Sequence, residues 1–233
     1  MPLGELMTAP LLYLGLTCGV YVAALEVNRR SGSHPLSNPV LLSVCSLIAI
    51  LWWARVDYQH YFANVQLIHF LLGPATVALA VPLFRHHQRV RRAALPIVGG
   101  VLCGSAAGVL TTLAVCSAAG IDTALTASLS TKSITAPVAM GIAEQIGGVP
   151  SLAAVFAVLT GMTGAAFGPW LLSRVNVQTS LERGLAMGTT SHGQGTARIL
   201  QENEEAGAFA GFAMGLTALG MAILLPLLAR LVL

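Results

Sequence analysis

The sequence predicts an all-α polytopic membrane protein, with about six full transmembrane helices and two broken segments. Three observations predict it. Of the 233 residues, 55% are hydrophobic and only 9% charged, where a soluble domain carries roughly 25%. Mean hydropathy is +0.77. The apolar runs are long enough for helices and lack the strict alternation of barrel strands. This composition argues against a soluble enzyme, a disordered regulator and a nucleic-acid binder. The net charge of +3 reads as topology-setting arginines rather than a phosphate-binding face.

A helix that crosses the ~30 Å hydrocarbon core needs roughly 20 residues. By that ruler the full spans lie near 6–27, 36–54, 65–84, 93–116, 150–173 and 206–229. The first run lacks a basic leader region and reads as a span, not a cleavable signal peptide. Residues 121–147 and 180–204 are different. They are moderately apolar but broken by Gly, Pro, Ser, Thr and single charges. The whole chain, 1–233, is expected to form one integral membrane domain, with scaffold-type helices over 1–92 and the two broken segments within 93–233.

Arginines set the expected orientation. Arg29 and Arg30 follow the first span, and Arg85-His86-His87-Gln88-Arg89-Val90-Arg91-Arg92 follows the third. The positive-inside rule places both in the cytoplasm and the N-terminus outside. Arg174 and Arg183 obey the same rule if each broken segment is a re-entrant hairpin. Fully crossing, unwound helices are the alternative. The hairpin reading puts both termini outside.

Glycines support close packing. Gly100, Gly104 and Gly108, then Gly207, Gly211 and Gly215, and the pair Gly164 and Gly168, each recur at four-residue spacing. In lipid such faces let helix backbones approach, and packing within one subunit is favoured over a dimer face. Pro74, Pro82, Pro169 and Pro226 fall inside spans, where neighbours can satisfy the freed carbonyls. The four cysteines, Cys18, Cys45, Cys103 and Cys116, lie in apolar runs without metal-ligand spacing and read as free, buried small residues.

A shift of 59 residues lays Ser130-Thr131-Lys132-Ser133 on Thr189-Thr190-Ser191-His192. Each tetrad opens a break and precedes an apolar span. A hairpin plus one span is an odd number of crossings, so such a repeat is inverted, as in many secondary transporters.

Lys132 is the single lysine of the chain and stands in an apolar stretch. A lysine at the bilayer centre costs about 2.5–3.5 kcal/mol on insertion scales. A functional role is favoured over a snorkelling side chain or a structural pair with Glu144. Ser133 and Thr135 add hydroxyls. Pro137 suits the first turn of a new helix, which is expected to start near Ala136 with its N-terminus aimed at the membrane centre. Such an end attracts a carboxylate.

The second break is Gly188-Thr189-Thr190-Ser191-His192-Gly193-Gln194-Gly195-Thr196. Glycines and hydroxyls around one histidine are poor helix material and good lining for a polar cavity. His192 stands between two roles, a carboxylate or proton site and a hydrogen-bonded structural residue. Glu144 is a candidate proton site for which a surface position is favoured. Arg198 is expected to pair with Glu202 rather than to touch substrate, and 201–205 to be a solvated loop. His86 and His87 need no metal. No enzyme motif is present: no Walker A pattern, G-x-S-x-G, H-E-x-x-H or C-x-x-C. The protein is therefore not expected to be an enzyme or to need a cofactor or metal. Transport without an ATP site would be driven by a gradient.

These breaks carry a resemblance. Thr131-Lys132-Ser133-Ile134-Thr135-Ala136-Pro137-Val138-Ala139-Met140, followed by Ile146-Gly147-Gly148-Val149-Pro150, resembles the first signature of the LrgB/CidB family. Gly184-Leu185-Ala186-Met187-Gly188-Thr189-Thr190-Ser191-His192 through Gly195-Thr196-Ala197 resembles its second, and Leu72 to Leu83 a third block. The resemblance covers nearly everything beyond about residue 65. Thr131 replaces a common proline and Gln194 a common apolar residue. The second change bears on substrate preference.

The resemblance implies two functions. One is secondary transport of small monocarboxylates of the pyruvate, glycolate or glycerate class, as in the related plastid transporter. Lys132, Ser133, Thr135, Thr190, Ser191 and His192 would then line the site, with His192 or Glu144 for proton coupling and Gln194 and Arg198 as secondary candidates. The alternative is a holin- or antiholin-like protein that modulates murein hydrolase export and autolysis. Both imply a bacterial cytoplasmic membrane and a separate small LrgA/CidA-type membrane partner. A homodimer is expected only by analogy with transporters of similar design.

Overall fold

Where apolar residues run on without turn chemistry, the backbone bonds to itself as helix, because lipid offers no other partner. A computed structural model describes residues 3–32, 37–78 and 80–232. Among the described residues there is helix and no strand. Contacts divide the chain into two units, Met1–Ala78 and Leu79–Leu233.

The first unit holds α1 (Leu3–Arg30), α2 (Pro39–Trp53), α3 (Tyr58–Asn64) and α4 (Gln66–Ala78). α1 packs on α2 and α3. Tyr13 meets the rings of His60 and Tyr61 edge-on, and the Thr17 and Tyr61 hydroxyls are 2.7 Å apart.

The second unit holds α5 (Ala80–Arg85), α6 (His87–Arg92), α7 (Ala94–Ala118), α8 (Thr123–Ser130), α9 (Ala136–Gln145), α10 (Pro150–Arg174), α11 (Ser180–Leu200) and α12 (Glu204–Val232). α7, α10 and α12 form its frame, and α8, α9 and α11 pack among them.

Among the described residues four helical stretches, Pro10–Arg30, Ala94–Ala118, Pro150–Arg174 and Glu204–Ala229, are single helices long and apolar enough to cross a membrane. A fifth crossing arises if α2 and α3, bent by 120° at their junction, count as one. The expected span at 36–54 is shorter as built. Its first residue, Leu36, lies outside the described residues. Asn38 caps the start of α2 through bonds from Val40 and Leu41 N–H. Arg55, at φ 53°, turns the chain after Trp53, and Asp57 caps α3 at once. The expected span at 65–84 falls on α4 and α5, with Leu79 between them outside the described residues.

The basic segment expected as a loop includes the short helix α6. Glu204 and Glu205, expected in a solvated loop, instead open α12 and pair with that segment. Arg85 reaches Glu204 at 2.9 Å and Arg89 reaches Glu205 at 2.7 Å. Carboxylates suit a helix N-terminus, and the arginines complete the match.

The outside of the second unit is apolar. Leu95, Leu110, Val115, Trp170, Leu219 and Ile223 are exposed, as lipid-facing positions of a bundle must be. The cysteines are all free, but Cys18, Cys45 and Cys103 are exposed and only Cys116 is buried. A small apolar thiol is as much at home against lipid as in a core.

Candidate functional site

Both broken segments fold back on themselves. A straight helix would separate Arg183 from Glu202, |i−j| = 19, by about 28 Å. They instead pair at 2.9 Å. α11 is thus a helical hairpin, bent at His192, whose backbone sits at φ 40°, ψ −132°. The glycine-rich sequence there allows the reversal. Gly195 comes so close to the Met187 carbonyl and the Ser191 Cβ, both 2.5 Å from where its own Cβ would stand, that no side chain fits.

α8 and α9 make a second hairpin. Its tip is Thr131 to Thr135, and α9 begins at Ala136 with Pro137 in the first turn. Past the end of α9, Val149 N–H donates to Ser128 Oγ at 2.8 Å, closing the loop onto α8. Thr131 is fully buried, and its hydroxyl donates to Ser128 O at 2.8 Å.

The two hairpins enter from opposite ends of α7. Leu185 and Thr189 of α11 pack against Gly100 and Gly104. Lys132, at the other tip, donates to Gly108 O at 3.4 Å and to Thr112 Oγ1. α10 carries the same arrangement. Met187, Ser191 and His192 lie against Gly168, Gly164 and Gly161 in turn, while Ala153 and Ala157 pack with Ala139, Ile142 and Ile134. His192 Nε2 is 2.9 Å from Ala157 O. The tips therefore approach the middle of both helices from opposite ends, and Ala157, bonded by His192, also belongs to the buried cluster that holds α9. Gly100, Gly104, Gly164, Gly168 and Gly207 serve contacts within the second unit, while a Cβ at Gly108 or Gly215 would meet nothing.

The expected site residues are distributed unevenly. Lys132, Ser133 and Thr135 share one tip, Ser191, His192 and Gln194 the other. Lys132 rests on α7 and His192 on α10. Thr135 begins α9 without a side-chain cap bond. Ser191 is buried. Thr190 is exposed, donates to Ala186 O at 2.7 Å, and lines a 490 Å³ apolar cleft between α10 and α11 with Thr163, Phe167 and Leu171. Glu144 is exposed on α9, and the alternative pairing of Lys132 with it is not formed, because the ammonium turns to α7. Gln194 leaves its buried Oε1 without a partner.

Arg198 pairs with Glu202 at 3.0 Å. Arg183 also donates to Val177 O at 3.1 Å and Ser173 Oγ at 3.2 Å. Ser173, Gln178, Ser180, Arg183, Glu202 and Asn203 line a 320 Å³ polar cavity at the mouth of α11. Among the described residues no three His, Cys, Asp or Glu side chains cluster as a metal site.

Thr112 was not singled out in the sequence. The Thr111-Thr112 pair inside an apolar span was its signal, because a buried ammonium needs oxygens nearby.

Comparisons with known proteins follow the same lines. The LrgB-like family matches residues 17–231. The Bacillus subtilis (strain 168) protein YxaC is 38% identical over 203 residues, 87% of this chain and 88% of its own length. The holin-like protein CidB of Staphylococcus epidermidis (strain ATCC 12228) is 29% identical over 226 residues, 97% of this chain and 98% of its own. Its Staphylococcus aureus (strain N315) counterpart, also named holin-like protein CidB, is 29% identical over 218 residues, 94% of this chain and 95% of its own. No solved structure matches.

Proposed function

The chain belongs to the LrgB-like family, and from that membership we propose that it works in a bacterial membrane as a holin-like protein, the role for which its staphylococcal relatives are named. What supports this is likeness over nearly the whole chain rather than in one motif. On this reading it modulates murein hydrolase export and autolysis beside a small LrgA/CidA-type membrane protein.

The geometry favours a second reading, gradient-driven transport of small monocarboxylates of the pyruvate, glycolate or glycerate class. Two hairpins approach mid-helix from opposite ends, and at one tip an ammonium stands on a carbonyl and a hydroxyl rather than an acidic partner. A protein that only perforates the bilayer has no need of that arrangement. Opposed hairpins also support an inverted repeat of hairpin plus helix, re-entrant within the bilayer. Lys132 and the uncapped start of α9 would hold the carboxylate, with Ser133, Thr135, Ser191 and His192 around it and Thr190 behind them. Arg85, Arg89, Arg174, Arg183 and Arg198 gather at one end of the second unit, which supports a cytoplasmic placement for that end and an external C-terminus.

Proteoliposomes carrying a trapped dye and an imposed pH gradient separate the readings. Holin-like action releases dye of unrelated chemistry. A carrier retains dye, accumulates labelled pyruvate or glycolate, and loses that uptake in Lys132→Ala. Retained dye with no uptake of either acid, with and without the small partner, would sink both.

A further inference from the structure

Trp170, Leu171, Leu172, Ser173 and Arg174 close α10. An aromatic ring and a cation at the end of an apolar helix mark a membrane–water boundary. Here the two are joined. Trp170 and Leu171 are exposed, and the Arg174 guanidinium lies over the indole ring, 5.3 Å from its centre.

From that boundary the 490 Å³ cleft between α10 and α11 runs inward along α10, from Leu172 to Leu159. At 1.5 Å per residue it is about 20 Å long. One bilayer leaflet with its headgroup region is also about 20 Å deep. Volume over length gives a mean cross-section of about 25 Å², against about 80 Å² for a helix 10 Å wide. The cleft is too narrow for a partner helix and is on the scale of one hydrocarbon chain. Its hydroxyls are already engaged. Thr163 and Thr190 donate to their own helices, at Leu159 O and Ala186 O, so the guest that fits is apolar.

Both walls lead to an arginine at the boundary. Leu171 and Met187 line the cleft. Arg174 is one turn beyond Leu171, and Arg183 one turn before Met187. Arg183 is committed to Pro169 O, Val177 O, Ser173 and Glu202, so it offers charge rather than free donors. Arg174 differs. Among the described residues it pairs with no carboxylate, and its donor fork is open to an acceptor. Arg183 and Arg198 share one carboxylate, Glu202. Glu182, exposed on the first turn of α11, pairs with none of the three arginines. Three cations against two carboxylates leave this boundary positive.

We propose that the cleft binds one acyl chain of an anionic glycerophospholipid from the leaflet at the arginine-rich end, with the phosphodiester held by Arg174 above Trp170. The excess positive charge selects an anionic headgroup over a zwitterionic one. The site is compatible with either reading of the protein's function.

The test uses the full chain in bilayers, with Trp52→Phe and Trp53→Phe so that Trp170 alone reports. Chain-brominated phosphatidylglycerol and phosphatidylcholine of equal chain length quench its fluorescence on contact, and their competition gives a relative binding constant. Phosphatidylglycerol is preferred about fivefold, the contribution of one arginine facing an anionic lipid. Arg174→Gln brings the preference below twofold. In detergent, long-chain phosphatidylglycerol raises Tm at least twice as much as its dihexanoyl counterpart. Thr163→Phe, which fills the cleft and leaves the boundary charges in place, abolishes that difference. A wild-type preference below twofold, a preference unchanged in Arg174→Gln, or equal Tm rises for long and short chains overturns the proposal. Loss of the preference on adding glycerol phosphate also overturns it, by making the boundary a site for a free anion. So does shielding of Trp170 from both lipids by the co-reconstituted small membrane partner, which would give the cleft to a protein.

Discussion

Arg183 and Glu202 lie at the two ends of the α11 hairpin and are joined by an ion pair of 2.9 Å. Arg183 also bonds to the backbone ahead of α11 and to α10, so one side chain fastens both arms of the hairpin to a neighbour. Its side chain is 14% exposed, and that of Glu202 is 30%. Screening is therefore weaker than at an open surface.

Arg183→Ala leaves Glu202 with Arg198 alone and frees the mouth of the hairpin. The expected loss is about 1–3 kcal/mol, read as a lowered Tm in detergent. Arg183→Lys recovers only part of it, because an ammonium cannot reproduce the guanidinium fork. A Tm within one degree of wild type in Arg183→Ala would remove the clamp from this account.

Gly164 touches Ser191 so closely that an added Cβ would overlap its side chain. Gly164→Ala should destabilise by about 1–3 kcal/mol through overpacking. Ser191→Gly in the same chain should recover most of that, giving a coupling term in a double-mutant cycle. Gly215→Ala, with open space around it, is the matched control and should be neutral. Additive losses in the cycle would show that the two residues do not meet.

Lys132 stands in the interior on a carbonyl and a hydroxyl rather than a carboxylate. Replacing a charge there with an apolar side chain of similar length removes a desolvation cost. Lys132→Met should therefore match or exceed wild type in Tm while losing gradient-driven acid uptake. A fall in Tm of more than about five degrees would make the lysine a structural strut.

His192 occupies a positive φ of 40°, where a residue with a Cβ is strained by about 1–3 kcal/mol. His192→Gly relieves that strain while losing the bond to Ala157 O. His192→Ala keeps the strain and loses the same bond. The glycine variant should thus be the more stable by Tm. The reverse order would show that the tip relaxes without histidine.

The sequence made the frame readable where one physical signal dominated. α7, α10 and α12 are long apolar runs that can only be helices in lipid. Both hairpin tips are visible because Lys132, Pro137, His192 and the glycines around it are poor interior helix residues. Thr112 was hidden for the opposite reason. A hydroxyl in an apolar helix normally bonds to its own backbone, so Thr112 looks like any other until the Lys132 ammonium distinguishes it. The shortened α2 was hidden too, because its ends are set by Asn38 and Asp57, single caps that a hydropathy window averages away. Thr190 and Ser191 are adjacent in sequence and equally polar. Only the packing against Gly164 separates the buried one from the one in the apolar cleft.

The bond partners of the hairpin tips have one more consequence, for biogenesis. Gly108 and Thr112 precede Lys132 in the chain, and Ala157 precedes His192. A chain inserted from its N-terminus therefore finds the oxygens for each costly tip already in the membrane when that tip emerges. The order of synthesis spares each tip a wait in lipid, which an order-reversing permutation of the second unit would impose.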